Sequence, residues 1–172
     1  RGKRLDEYIQ VLRILWTQPD PTFHGQFVDF ADCVFEPKPV QPGGPPIWVG
    51  GNSEAGARRA ARLGDGWHAT GISFDDFVER VRLLRDLAGG RPLSVSTRMT
   101  VDLGGTVSEE LSASGAPRAR LAGSSQQVID DLGHWTQAGL DSLVCQFPHH
   151  DRAELLDRIA AFASAVMPAF HP

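Results

Sequence analysis

The sequence predicts an α/β protein built on parallel strands, and three observations predict it. Short apolar runs alternate with helical patterns four times between about residue 46 and the C-terminus. The helical patterns open on serine or aspartate, the residues that cap helix N-termini. The first three of them close on glycine, at Gly64, Gly89-Gly90 and Gly139. Strand–helix alternation implies parallel strands joined by right-handed crossovers. Four such units make either an open doubly wound sheet or part of a barrel, and periodicity leaves both open.

Ahead of these units, Leu5, Tyr8, Ile9, Leu12 and Leu15 recur at helical spacing, predicting a helix over 3–16. Pro19 and Pro21 end it. In "FHGQFVDF" apolar residues flank Gly25, which predicts a short hairpin. Residues 36–46 hold five prolines and two glycines, so no helix fits there. Hairpin and connector together span 17–46.

The first repeated unit is a strand at about 46–50 and a small-residue helix at about 53–63. The second is the short strand Gly66–Ala69 and a helix opening at Ser73, with Asp76 completing a capping box. Phe77, Val78, Val81, Leu84 and Leu87 mark its buried face. In the third strand, 93–102, Leu93, Val95, Thr97, Met99 and Val101 alternate with polar residues. Residues 103–122 are rich in Gly, Ser and Ala and are expected as an exposed, mobile loop. A helix at about 125–138 follows, capped by Ser124 or Ser125. The fourth strand is 141–147, and Asp151 with Glu154 caps a last helix burying Leu155, Leu156, Ile159, Phe162 and Val166. Trp16, Trp48 and Trp135 read as core.

The chain has 172 residues, enough for one domain over 1–172, with 41% hydrophobic residues and a formal charge of −4. That acidic balance argues against a nucleic-acid surface. No apolar run reaches the roughly 18 residues of a membrane span. The chain opens on Arg1, already in a helical pattern, which is expected of a segment of a longer protein. Cys33 and Cys145 lie far apart without CxxC spacing, as free thiols of a reducing cytoplasm or as a disulfide.

Chemistry concentrates where strands end. Gly50-Gly51-Asn52-Ser53 stands between a strand and a helix N-terminus, whose free N–H groups carry the positive end of the helix dipole. Glycine admits close approach to that backbone, and Asn52 and Ser53 add side-chain donors. The cluster reads as a phosphate cradle or as a tight turn with Ser53 a simple N-cap. Thr70-Gly71 lies just past the next strand, so in a parallel array both clusters can grip one phosphate. Trp67 is core or a wall of a ligand pocket, and His68 contacts ligand or a neighbouring loop. Arg98, if inward, must be paired with a ligand's acidic tail; at a strand end it would bind a carboxylate of the protein, for which Asp102 is a candidate. His149-His150 are solvated loop residues, and no metal site is expected. The residues by themselves assign no catalytic group.

The stretch "PKPVQPGGPPIWVGGNSEAGARRAARLGDGWHATG", with "RLDEYIQVLRILW" before it and "LAGSSQQVIDDLGHWTQAGLDSLVCQF" after it, resembles the luciferase-like monooxygenase family, in particular its coenzyme F420-dependent oxidoreductases. The resemblance implies a (βα)8 TIM barrel, with this chain the C-terminal half carrying strands five to eight. It implies FMN or coenzyme F420 as cofactor, its phosphate held by Gly50, Gly51, Asn52 and Ser53 after strand five and by Thr70 and Gly71 after strand six. Trp67 and His68 would line the substrate or ring pocket. A flavin- or deazaflavin-dependent oxidoreductase acting on a small molecule is the first functional expectation. The alternative is a non-catalytic half-barrel that binds a phosphate-bearing ligand or serves as an assembly subunit. The inner sheet face is expected to carry several apolar residues. They would be covered by a second copy, by the missing N-terminal half, or by 23–46 folded over as a plug.

Overall fold

The computed structural model describes residues 1–106, 109–111 and 115–170, with backbone alone for 109–110. Helix α1 (Gly2–Thr17) is followed by a two-residue-stranded hairpin, β1 (Phe23–His24) and β2 (Asp29–Phe30). The Glu7 carboxylate accepts the N–H groups of Gln26, Phe27 and Val28, which fastens the hairpin turn to α1. The connector is fastened to the same helix: Lys38 Nζ donates to the Leu15 carbonyl, and Gly44 stands against the Trp16 ring.

Next come β3 (Trp48–Gly50), α2 (Glu54–Leu63), β4 (Gly66–Thr70), α3 (Phe74–Ala88) and β5 (Ser94–Leu103). Then follow β6 (Glu109–Leu111), β7 (Pro117–Gly123), α4 (Ser125–Gln137), β8 (Ser142–Gln146), α5 (Arg152–Ala165) and a 3-10 turn, Met167–Ala169. The caps are those the sequence indicates. Ser53, Ser73, Ser124 and Asp151 each accept the backbone N–H three residues on, and Ser124 with Gln127 forms a full capping box. Gly64 is not left-handed; a side chain there would crowd Val49 and the carbonyls of Ala60 and Gly66.

Strands β3, β4, β5 and β8 lie parallel in that order, with β8 taking Ser96–Thr100 of β5. Strand β7 runs parallel to the last residues of β5, Thr100–Leu103, and antiparallel to β6. The Ala119 N–H donates to the Ile72 carbonyl, so β7 stands beside β5 where β4 has ended. This corrects the expectation for 103–122. Its described residues form β6 and most of β7, because Pro117–Gly123 meets a free stretch of β5 edge; 107–108 and 112–114 lie outside the described residues.

The core lies on the helix side of the sheet. Val95, Thr97, Met99 and Val101 of β5 face it, with Trp67 and Ala69 of β4. Trp67 stacks on Phe77, which in turn meets Trp135 at 4.6 Å between ring centroids. The opposite face is mostly polar: His68, Thr70, Ser94, Ser96, Arg98, Thr100, Ser142 and Gln146, with Trp48 and Val144 the large apolar side chains there among the described residues. The expectation of several apolar residues there is corrected, because alternation sends the apolar set to the helices. Trp48 is 42% and Val144 50% exposed, so the connector held on α1 does not plug this face. Helix α5 also departs from expectation. It buries Phe162, and Val166 beyond its end is buried too, but Leu156 and Ile159 stay exposed because no described layer covers its outer side. Among the described residues β3 pairs only with β4 and β8 only with β5, so both sheet edges are open.

Candidate anion site at the ends of β3 and β4

Gly51 leaves β3 with φ +124°, a conformation that side-chain-bearing residues avoid, and nothing lies within 4 Å of where its Cβ would stand. Its N–H donates to the His68 carbonyl, and its carbonyl accepts Trp67 Nε1–H at 2.8 Å. The backbone at Gly51 is thus held from below and open above. Asn52 then joins the two strand ends. Its Nδ2 donates to the carbonyls of Thr70 and Gly71 at 2.8 and 3.3 Å, and its Oδ1 accepts the Thr70 N–H at 3.0 Å. Arg80 Nε supports the clasp from α3 by donating to the Asn52 carbonyl.

The sequence clusters 50–53 and 70–71 therefore meet in space, but their side chains are not all free. Asn52 is used in the clasp, and Ser53 Oγ caps Gly56. What points outward is backbone: the first-turn N–H groups of α2 ahead of Gly56, which have no partner among the described residues. The exposed Thr70 adds a hydroxyl. Gly71 takes φ +58°, which glycine accepts without cost.

Two other expectations divide. Trp67 as a pocket wall is corrected: it is fully buried on the helix side, because β4 alternates Trp67 and Ala69 inward against His68 and Thr70. His68 does face the open side, with Nδ1 2.7 Å from Ser96 Oγ. Burial, and after it the Arg98 charge, hold the His68 imidazole below its ordinary range. The unfolded chain then binds this proton more readily than the folded one, so stability rises with pH from the lowered folded value up to about 6.5. His68→Gln should flatten that rise in denaturation midpoints between about pH 5 and pH 7; an unchanged slope assigns it to another group.

Arg98 and Asp102 do not pair. Asp102 is taken by Arg120 and by Arg158 of α5, while Arg98 is exposed on the His68 face. His149 Nδ1 is 2.8 Å from the Phe147 carbonyl, and His150 N–H donates to Glu154. Among the described residues no cluster could hold a metal ion. Cys33 and Cys145 are free thiols, and burial raises the Cys145 pKa. One residue at this site escaped sequence reasoning: Arg118 of β7, whose side chain lies against Gly71. The alternation in "PRARLAG" is the signal that could have shown the strand and therefore the arginine.

A family model described as luciferase-like monooxygenase matches residues 1–110. An uncharacterised protein of Mycobacterium tuberculosis is 30% identical over 166 residues, 94% of this chain and 50% of that protein. An FMNH(2)-dependent dimethylsulfone monooxygenase of Pseudomonas putida is 29% identical over 158 residues, 84% of this chain and 44% of that one. Among solved structures, the coenzyme F420-dependent tetrahydromethanopterin reductase of Methanopyrus kandleri superposes with a TM-score of 0.76 at 14% identity, over 98% of this chain and 63% of that chain. The chain thus spans about half the length of these relatives.

Proposed function

Because the chain belongs to the luciferase-like monooxygenase family, we propose that it is the phosphate-binding part of a flavin- or coenzyme F420-dependent oxidoreductase. The observation that carries this reading is the Asn52 clasp, which fixes the backbone of 50–53 and 70–71 around one place. A phosphate there would be held by the α2 first-turn N–H groups, by the Thr70 hydroxyl and by close backbone approach at Gly51. FMN or F420 would supply the hydride or oxygen chemistry. This chain's residues would bind and orient its phosphate arm. On the open face, His68 would meet a small-molecule substrate or the ring as a neutral imidazole, aligned by Ser96. No helix among the described residues is long and apolar enough to cross a membrane, and the free thiols suit a reducing cytoplasm. The test is retention: after mixing and gel filtration, the protein should carry the visible absorption of FMN or of F420.

A second reading is a non-catalytic half-barrel that binds a phosphate-bearing ligand through the same two strand ends. It predicts retention of neither cofactor. Under both readings the open β3 and β8 edges should pair, either with a second copy or with an N-terminal half-barrel of the same protein. Half-exposed Trp48, Val144, Leu156 and Ile159 supply apolar area for it, each adding up to about half of the roughly 1.5–3 kcal/mol of a full burial. Sedimentation of the 172-residue chain at micromolar concentration should show a dimer; a compact monomer that binds no hydrophobic dye contradicts pairing.

A further inference from the structure

We infer, resting on the oxidoreductase reading above, that Arg98 on the open face of the sheet binds the acidic group of a small organic acid, and that such an acid is the class of substrate. The strand register places the side chains that would surround the group. Thr70, Arg98 and Val144 lie side by side on β4, β5 and β8. One row nearer the strand N-termini stand Gly50, His68, Ser96 and Ser142. One row nearer the C-terminal ends, Thr100 pairs with Gln146. Alternation along each strand turns all of these to one face. Arg98 therefore has three hydroxyls, an amide and an imidazole around it, contributed by three strands, and no carboxylate in these rows.

Arg98 is exposed and makes no hydrogen bond or ion pair among the described residues. The next carboxylate along this face of β5 is Asp102, and Arg120 and Arg158 both hold it. Arg120 itself stands on β7 opposite Thr100. Among its described side chains, this end of the face thus carries more guanidinium than carboxylate charge. The Arg98 charge also acts on the His68 imidazole, second to burial, so the two side chains share one region. A guanidinium with free donors matches the paired oxygens of a carboxylate or sulfonate.

Thr70 also borders the proposed phosphate site, but Gly51 and the first turn of α2 lie past the end of β3, whereas Arg98 stands midway along β5. On its far side is Val144, 50% exposed. An organic acid uses both neighbours: its head meets the guanidinium and its hydrocarbon body lies on Val144, the usual division of a small-molecule site into a few polar anchors and apolar wall. A bare phosphate arm would leave Val144 without a role.

The experiment titrates the isotopically labelled 172-residue chain with hexanoate, with hexanesulfonate and with the uncharged 1-hexanol. It follows the His68 ring signals and the amides of Thr70, Ser142 and Val144. At least one acid should shift them together, with an affinity about tenfold or more above that of hexanol. Which acid binds tighter separates a carboxylate from a sulfonate substrate. Arg98→Met keeps the stem and removes the charge, so it should lose that advantage and leave hexanol binding unchanged. Arg98→Lys should recover part of it. Thermal midpoints of Arg98→Met and the wild type should agree, because the side chain is exposed. Inorganic phosphate, followed at the Gly51 and Ser53 amides, reports on the phosphate site separately and should bind wild type and Arg98→Met alike. Acids that bind no better than hexanol, or equally well to Arg98→Met, overturn the assignment and leave the phosphate site to its own arm. Loss of the phosphate shifts in Arg98→Met also overturns it, by giving the arginine to the cofactor.

Discussion

Trp67→Ala should destabilise the protein by about 3–5 kcal/mol, the usual cost of emptying a large aromatic site in a core. The ring is fully buried and stacks on Phe77 at 5.9 Å between centroids, and Phe77 packs in turn on Trp135. Three elements, β4, α3 and α4, meet in this stack, so the cavity has no single neighbour able to collapse into it. The indole N–H also holds the Gly51 carbonyl. Truncation therefore removes the support beneath the proposed anion site as well as core volume. Trp67→Phe separates the two effects. It keeps much of the stacking and should cost only about 1 kcal/mol for the lost hydrogen bond, while loosening Gly51. Urea denaturation of the wild type and both variants measures this. A loss below about 1 kcal/mol in Trp67→Ala is incompatible with the packing described.

Gly51→Val should weaken cofactor binding tenfold to a hundredfold. The backbone at Gly51 has φ +124°, where a β-branched residue is strained by about 1–3 kcal/mol. A side chain there would enter empty space, and under the proposed function that space is where a phosphate would approach the backbone. One lost charge-assisted hydrogen bond corresponds to about 1.5–3 kcal/mol, which gives the stated range. Thr70→Ala tests the opposite wall with no backbone strain and should lose about tenfold. Unchanged affinity in both variants, by titration of folded protein, puts the phosphate elsewhere.

Much of the fold was legible in the sequence because its signals are local. Strand β5 reads directly from the alternation of Val95, Thr97, Met99 and Val101 with Ser94, Ser96, Arg98 and Thr100. The caps Ser53, Ser73, Ser124 and Asp151 read equally well. What failed depends on partners rather than on the segment itself. Strand β7 needs the free end of β5 to become a strand, and composition alone makes it a loop. The stripe of Leu156 and Ile159 has helical spacing, but burial requires a neighbour that the described chain does not provide.

The site divides in the same way. Glycine next to a strand end marks a turn with access to backbone, and both clusters do converge. Which side chains are spent on the fold was not legible: Asn52 looks like a ligand donor until Thr70 is placed beside it. Trp67 and His68 are adjacent, and in a strand of five residues a shift of one exchanges their faces. Arg118 stands on an element that the sequence did not reveal, so its approach to Gly71 was out of reach.

The most direct measurement is a crystal structure of the protein grown with FMN or with F420. The cofactor phosphate should lie within hydrogen-bond distance of the backbone N–H groups at the start of α2 and of the Thr70 hydroxyl, over Gly51 and Gly71. A cofactor phosphate bound at any other place, or crystals at saturating cofactor with none bound, would contradict the assignment of this site.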